Sequence, residues 1–159
     1  MSKARPLAGF YEAHEVSLTS LKRSPHILAS AKPITQARFD PKLIAPCGMN
    51  CAICKAHLRK QNPCHGCNFA EENRPKTRVE CPLRVCRKRS GRFCCGCPEF
   101  PCDRLRHLDQ RYRTTYGMSQ VENLKFIKAK GLRRFVEKEG GKWFSKKGIL
   151  CVHDKKYYR

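Results

Sequence analysis

Cys47-Gly48-Met49-Asn50-Cys51-Ala52-Ile53-Cys54, then Cys64-His65-Gly66-Cys67, then Cys81-Pro82-Leu83-Arg84-Val85-Cys86, then Cys94-Cys95-Gly96-Cys97-Pro98-Glu99-Phe100-Pro101-Cys102: these four stretches decide how the chain folds. Paired Cys-x2-Cys units let tight turns present four sulfurs tetrahedrally to a zinc ion at about 2.3 Å. Gly66 stands where such a turn bends most sharply. Of the twelve cysteines, ten have metal-ligand spacing: Cys47, Cys51, Cys54, Cys64, Cys67, Cys81, Cys86, Cys94, Cys97 and Cys102. Cys95 and Cys151 fall outside the spacings and read as small buried hydrophobes. Ten ligands make two four-ligand zinc sites with two thiols left over. The leftovers fit a sulfur-bridged two-zinc site, a third site completed by a histidine, or one zinc and one iron–sulfur cluster, since thiolates alone do not separate zinc from iron. His57 and His65 are the histidines at hand, although a solvent-facing role suits both.

The remaining composition explains why such staples are needed. Leu, Ile, Val and Phe are 32 of 159 residues, and 34 Lys and Arg against 13 Asp and Glu leave a net charge of +21. So few large apolar groups under so much self-repulsion cannot fund an ordinary core of this size. A secreted disulfide scaffold would also use many cysteines. The first 46 residues, however, contain no apolar run of signal-peptide length, and nothing approaches the roughly 18 apolar residues of a membrane span. The expectation is a reducing cytoplasm in which thiols bind metal.

Outward from the cysteines, residues 1–46 carry five prolines, a charge of +4 and no sustained period, which reads as an extended basic arm that orders along a partner, such as a larger protein complex. Cys51, Cys54 and Leu58 stand at i, i+3 and i+7, which predicts one helix from Cys51 to Lys60 with both thiols on its inward face. Asp103 caps a helix with a Leu105, Leu108, Tyr112 stripe. Ser119-Gln120-Val121-Glu122 is a capping box opening a helix through about Lys130, and Gly131 breaks it. A further helix runs from Leu132 to Glu139 and ends at Gly140-Gly141, and a short hairpin follows around Trp143-Phe144 and Ile149 to Val152. The fold class is a small metal-stapled α+β or irregular domain: zinc-knuckle-like loops, several short helices and little sheet. Residues 47–102 and 103–159 form one domain.

The four cysteine stretches, above all Cys94-x2-Cys97-Pro98-Glu99-Phe100-Pro101-Cys102, resemble a cysteine-rich bacterial and archaeal family, the domain of unknown function numbered 3795. The likeness covers roughly residues 46–135. It implies metal binding through the cysteines and no assigned reaction. In longer members the C-terminus is similar to a further zinc ribbon, matched here by Leu150-Cys151-Val152-His153-Asp154. Tyr157 and Tyr158 stand where cysteines would be expected, so that third site is vestigial. Cys47-x3-Cys51-x2-Cys54 is also the cluster spacing of radical S-adenosylmethionine enzymes, but the chain has neither the length nor the alternating strands and helices of their barrel.

No phosphate loop, nucleophile triad or carboxylate pair appears, so the reading is a binding module rather than an enzyme. Positive charge in every third of the chain favours a polyanion, hence nucleic acid or a ribonucleoprotein. Arg87, Lys88, Arg89 and Arg92, projecting between Cys86 and Cys94, form the best patch, extended by Lys125, Lys128, Arg133 and Arg134. The alternative is an iron–sulfur protein that docks on a larger complex as a redox-responsive or accessory subunit.

Overall fold

Ser119 opens a helix as its capping box predicts: its hydroxyl accepts the Glu122 N–H at 3.0 Å. The computed structural model describes residues 39–69 and 76–159, which fall within one compact unit, Thr35–Arg159. In chain order the helices are α1 (Lys55–Leu58), α2 (Lys76–Val79), α3 (Asp103–Tyr116), α4 (Gln120–Lys130) and α5 (Leu132–Trp143). Three short strands follow, β1 (Phe144–Ser145), β2 (Gly148–Leu150) and β3 (Tyr157–Tyr158). The strands form one antiparallel sheet in the order β1-β2-β3, with Phe144 opposite Ile149 and Leu150 opposite Tyr157.

Helix α4 packs on both α3 and α5. Asp109 of α3 fixes the first of these joints: one of its carboxylate oxygens accepts from the Ser119 hydroxyl at 2.7 Å and the Val121 N–H at 2.9 Å, the other from Arg113 at 2.7 Å. The expected reciprocal bond from Glu122 to the cap is replaced by ion pairs with Lys125 and Arg113. The N-cap of α3 is Cys102, and Asp103 sits in its first turn. Helix α5 runs past Glu139 to Trp143, through both glycines, because Gly140 is buried there and Trp143 is a core residue. β3 extends the expected hairpin by a third strand.

The core is shared between the cysteine segment and the helices. Phe39, Ile44, Met49 and Ile53 cluster with Ile127, Phe135, Val136 and Trp143. Leu83 and Cys94 cluster with Leu105, Val121 and Leu124. Phe39, Ile44 and Ala45, assigned by sequence to the arm, are thus buried in this unit. The remainder of the arm, 1–38, lies outside the described residues.

Glu139 is buried in α5, where its carboxylate accepts from the Asn50 amide at 3.4 Å. Burial raises its pKa above 4.5 against the opposing pull of Asn50 and Lys142. The folded state therefore keeps a proton that the unfolded chain has already released, and this contribution to stability is lost as the pH rises from 4.5 through the raised value. Glu139→Gln should remove that slope, raising the melting temperature at neutral pH with no gain at pH 4. A gain that is the same at both pH values would refute the assignment.

Candidate metal centre and basic surface

The first thiol turn departs from the single helix read from the sequence. Cys51–Ile53 is one turn of 3-10 helix, Cys54 is extended with φ −82° and ψ 133°, and only Lys55–Leu58 is α-helical. The Asn50 side chain accepts the Ala52 N–H at 3.0 Å and caps the start of the turn, while the Ile53 carbonyl, which a continuous helix would offer to the His57 N–H, accepts the Val152 N–H at 3.0 Å instead. Cys51 and Cys54 therefore lie on a knuckle rather than a helix face. Cys94–Gly96 repeats the form, with the Cys97 N–H donating to the Cys94 carbonyl at 3.0 Å. The Cys94 N–H in turn donates to the Pro46 carbonyl at 2.8 Å, tying the second knuckle to the start of the first.

Two glycines let the segments close. Gly66, at φ +106°, brings the third turn so near that an added Cβ would stand 3.1 Å from Leu43 and 3.6 Å from the Cys51 Cβ. Gly48, at φ +82°, lies against α4, where a Cβ would meet the Gln120 carbonyl and Leu124 at 2.8 Å each.

All twelve cysteines are thiols in the structure. The Cys51 and Cys67 side chains hydrogen-bond, and this contact together with burial raises the Cys51 pKa. Burial, with Cys67, Cys94 and Cys81 nearby, pushes Cys47 up to about 12. Burial pushes Cys94 to about 11, with Cys102, Cys86 and Cys97 adding to it and Arg89 opposing. Cys54 is raised by burial and has Cys64 as its thiol neighbour, while its sulfur accepts the Ala56 and His57 N–H groups. Cys47 thus has Cys51, Cys67, Cys81 and Cys94 as thiol neighbours, Cys94 also has Cys86, Cys97 and Cys102, and Cys54 has Cys64. Thiolates buried so near each other repel, and a soft divalent cation is the chemistry that relieves this. The donor set fits such an ion, although among the described residues no three Cys, His, Asp or Glu side chains are gathered closely enough to hold one.

His57 bonds the Cys64 carbonyl at 2.6 Å through Nδ1, and His65 is exposed. His153 sits beside Cys54 with both ring nitrogens engaged: Nδ1 accepts the Lys55 N–H at 3.3 Å and Nε2 bonds the Tyr112 hydroxyl at 3.1 Å. Its pKa is lowered by burial and by Arg78.

Most of the basic residues singled out by sequence have partners within the chain. Arg89 donates to the Leu83 and Arg84 carbonyls at 2.7 and 3.0 Å, Arg92 to the Ile44 carbonyl at 3.1 Å, and Lys88 pairs with Glu99 at 2.7 Å. Lys125 pairs with Glu122 and Arg133 with Glu137. Arg87, Lys128 and Arg134 are exposed.

A second basic surface was missed. Arg104, His107 and Arg111 line one side of α3 at i, i+3 and i+7, beside the apolar stripe that drew attention to that helix. They border a cavity of about 710 Å³ whose wall includes Cys47, Cys67 and Cys81. The spacing was readable, but only the fold reveals that Arg78 and Arg84 border the same cavity.

No curated protein and no solved structure matches the chain. Residues 43–107, from the end of the 3-10 turn at Leu43 into the second turn of α3, match the model of the family described as Protein of unknown function (DUF3795), a span that starts three residues before the 46–135 read from the sequence and ends within it.

Proposed function

We propose that the chain is a non-catalytic module that binds metal through its thiols, with zinc as the ion, and that its basic surface engages nucleic acid or a ribonucleoprotein. The observation that carries the metal reading is the grouping of thiols around Cys47 and around Cys94, two thiols that burial makes costly to ionise without a cation. The net charge of +21 supports the polyanion. Thiol ligands serve iron as well as zinc, so the spectrum decides the ion. Protein purified without oxygen should be colourless and carry at least two zinc ions per chain by elemental analysis. A brown protein with iron and acid-labile sulfide would replace zinc by an iron–sulfur cluster, and a metal-free folded protein would end the reading.

The loop between Cys86 and Cys94 gives a local test. Arg89 and Arg92 brace backbone carbonyls, so Arg87→Ala with Lys88→Ala is the variant that removes charge and keeps both braces, losing only the exposed Lys88–Glu99 pair. If both side chains meet phosphates, the slope of log affinity against log salt should shrink by about 1.4–1.8. Lys3→Ala with Arg5→Ala is the control, and equal losses from both variants would show that the loop is no site.

A further inference from the structure

The cavity beside α3 has a composition that metal binding does not explain. At about 710 Å³ it lies within the range that small ligands and cofactors occupy. Arg78, Arg84, Arg104, His107 and Arg111 line it, and no carboxylate does among the described residues. Arg78 is half-buried beside Tyr112, and its guanidinium stays charged there. Met49, Leu83, Leu108 and Tyr112 give the same cavity an apolar wall. Gln120 also lines it: this side chain is fully buried, yet neither its amide nitrogen nor its amide oxygen has a hydrogen-bond partner. A buried amide left without partners is costly and rare in native proteins. It makes sense where a ligand supplies both bonds.

We propose that this cavity binds a nucleoside phosphate, with the phosphate on the guanidiniums of Arg104 and Arg111 at its mouth and the base against the apolar wall, its edge bonded to the Gln120 amide. A side-chain amide offers one donor and one acceptor together, the pattern that an adenine edge complements. The assignment goes beyond metal binding, and the thiols enter it only as part of the wall. Two sources share this chemistry, a free nucleotide and an unpaired nucleotide within a single strand.

The test uses the full chain as purified, with metal content measured on the same samples. The probes are ATP, a short single-stranded oligoadenylate, the corresponding duplex, and inorganic phosphate as competitor. Single-stranded or free adenylate should bind, and Arg104→Gln with Arg111→Gln should weaken it by about ten-fold or more for each arginine. Gln120→Leu should weaken adenylate while leaving competition by inorganic phosphate unchanged. Its melting temperature should hold or rise, because the replaced amide has no partner to lose; the exposed arginine pair tests the site independently of that. Equal affinity for ATP and the strand identifies the free nucleotide, and a clear preference for the strand identifies an unpaired residue of a polynucleotide. Duplex binding as tight as single-strand binding and indifferent to all three substitutions would overturn the site. So would metal-loaded protein that binds no adenylate, and that result leaves the metal reading standing, whereas metal-free protein that still binds adenylate would overturn the metal reading alone.

Discussion

Stripping the metal with a strong chelator under reducing conditions is expected to abolish the helical circular dichroism in one transition. A structural zinc site supplies about 10–16 kcal/mol of apparent binding energy, more than the roughly 5–15 kcal/mol net stability of a whole domain. Helices α3 to α5 do not escape this coupling, because the residues that complete their core are Met49, Ile53 and Leu83 of the cysteine segment and Ile44 just before it. Once the thiol turns open, those side chains leave, and Phe135, Leu124 and Leu105 are exposed with them. Readdition of zinc should restore the signal. A helical spectrum unchanged after verified metal removal would show that the helices stand alone.

Asn50→Ala should be among the most damaging single substitutions outside the thiols. The side chain is fully buried and works in two directions, capping the Cys51 turn through its oxygen and donating to Glu139 of α5 through its nitrogen. Losing the cap costs about 0.5–2 kcal/mol, and a buried carboxylate left without its donor adds about 1–3 kcal/mol. Together these predict a fall of about 10 °C in melting temperature for a domain of this size. On the proposed metal reading zinc affinity should fall too, since the same turn places Cys51 and Cys54. Asn50→Asp separates the two roles: it keeps the cap but sets two carboxylates face to face, so its penalty should shrink as the pH falls. A penalty independent of pH would mean that the Glu139 contact contributes nothing.

Local rules reached the helical half well and the cysteine half poorly. The Ser119 cap, the break at Gly131 and the apolar stripe of α3 are signals carried by residues a few positions apart, and each appears where those residues stand. Periodicity failed at Cys51 to Lys60 because the Ile53 carbonyl that would continue the helix accepts the Val152 N–H from the far end of the chain, and spacing alone cannot register that partner. Which thiols become neighbours was equally hidden. Cys51 meets Cys67 rather than its sequence partner Cys54. The turn at Gly66 is legible from its own residues, but its closeness to Cys51 depends on packing between segments. The partners of the basic loop were hidden for the same reason: Arg89 and Arg92 read as free charge in one dimension and also donate to backbone carbonyls in three.

The C-terminal hairpin reaches back to the first knuckle. Val152 donates its N–H to the Ile53 carbonyl at 3.0 Å, and His153 accepts the Lys55 N–H across 98 residues of sequence. At about 5–20 residues per second, a ribosome needs about 5–20 s to make the intervening chain. During that interval the first thiols exist without the element that closes over them, at the stage when a nascent chain is most open to oxidation or to capture of the wrong ion. On the proposed metal reading, correct loading is then a matter of timing as well as affinity, and cells starved of zinc during synthesis should accumulate misoxidised chains that later zinc does not rescue.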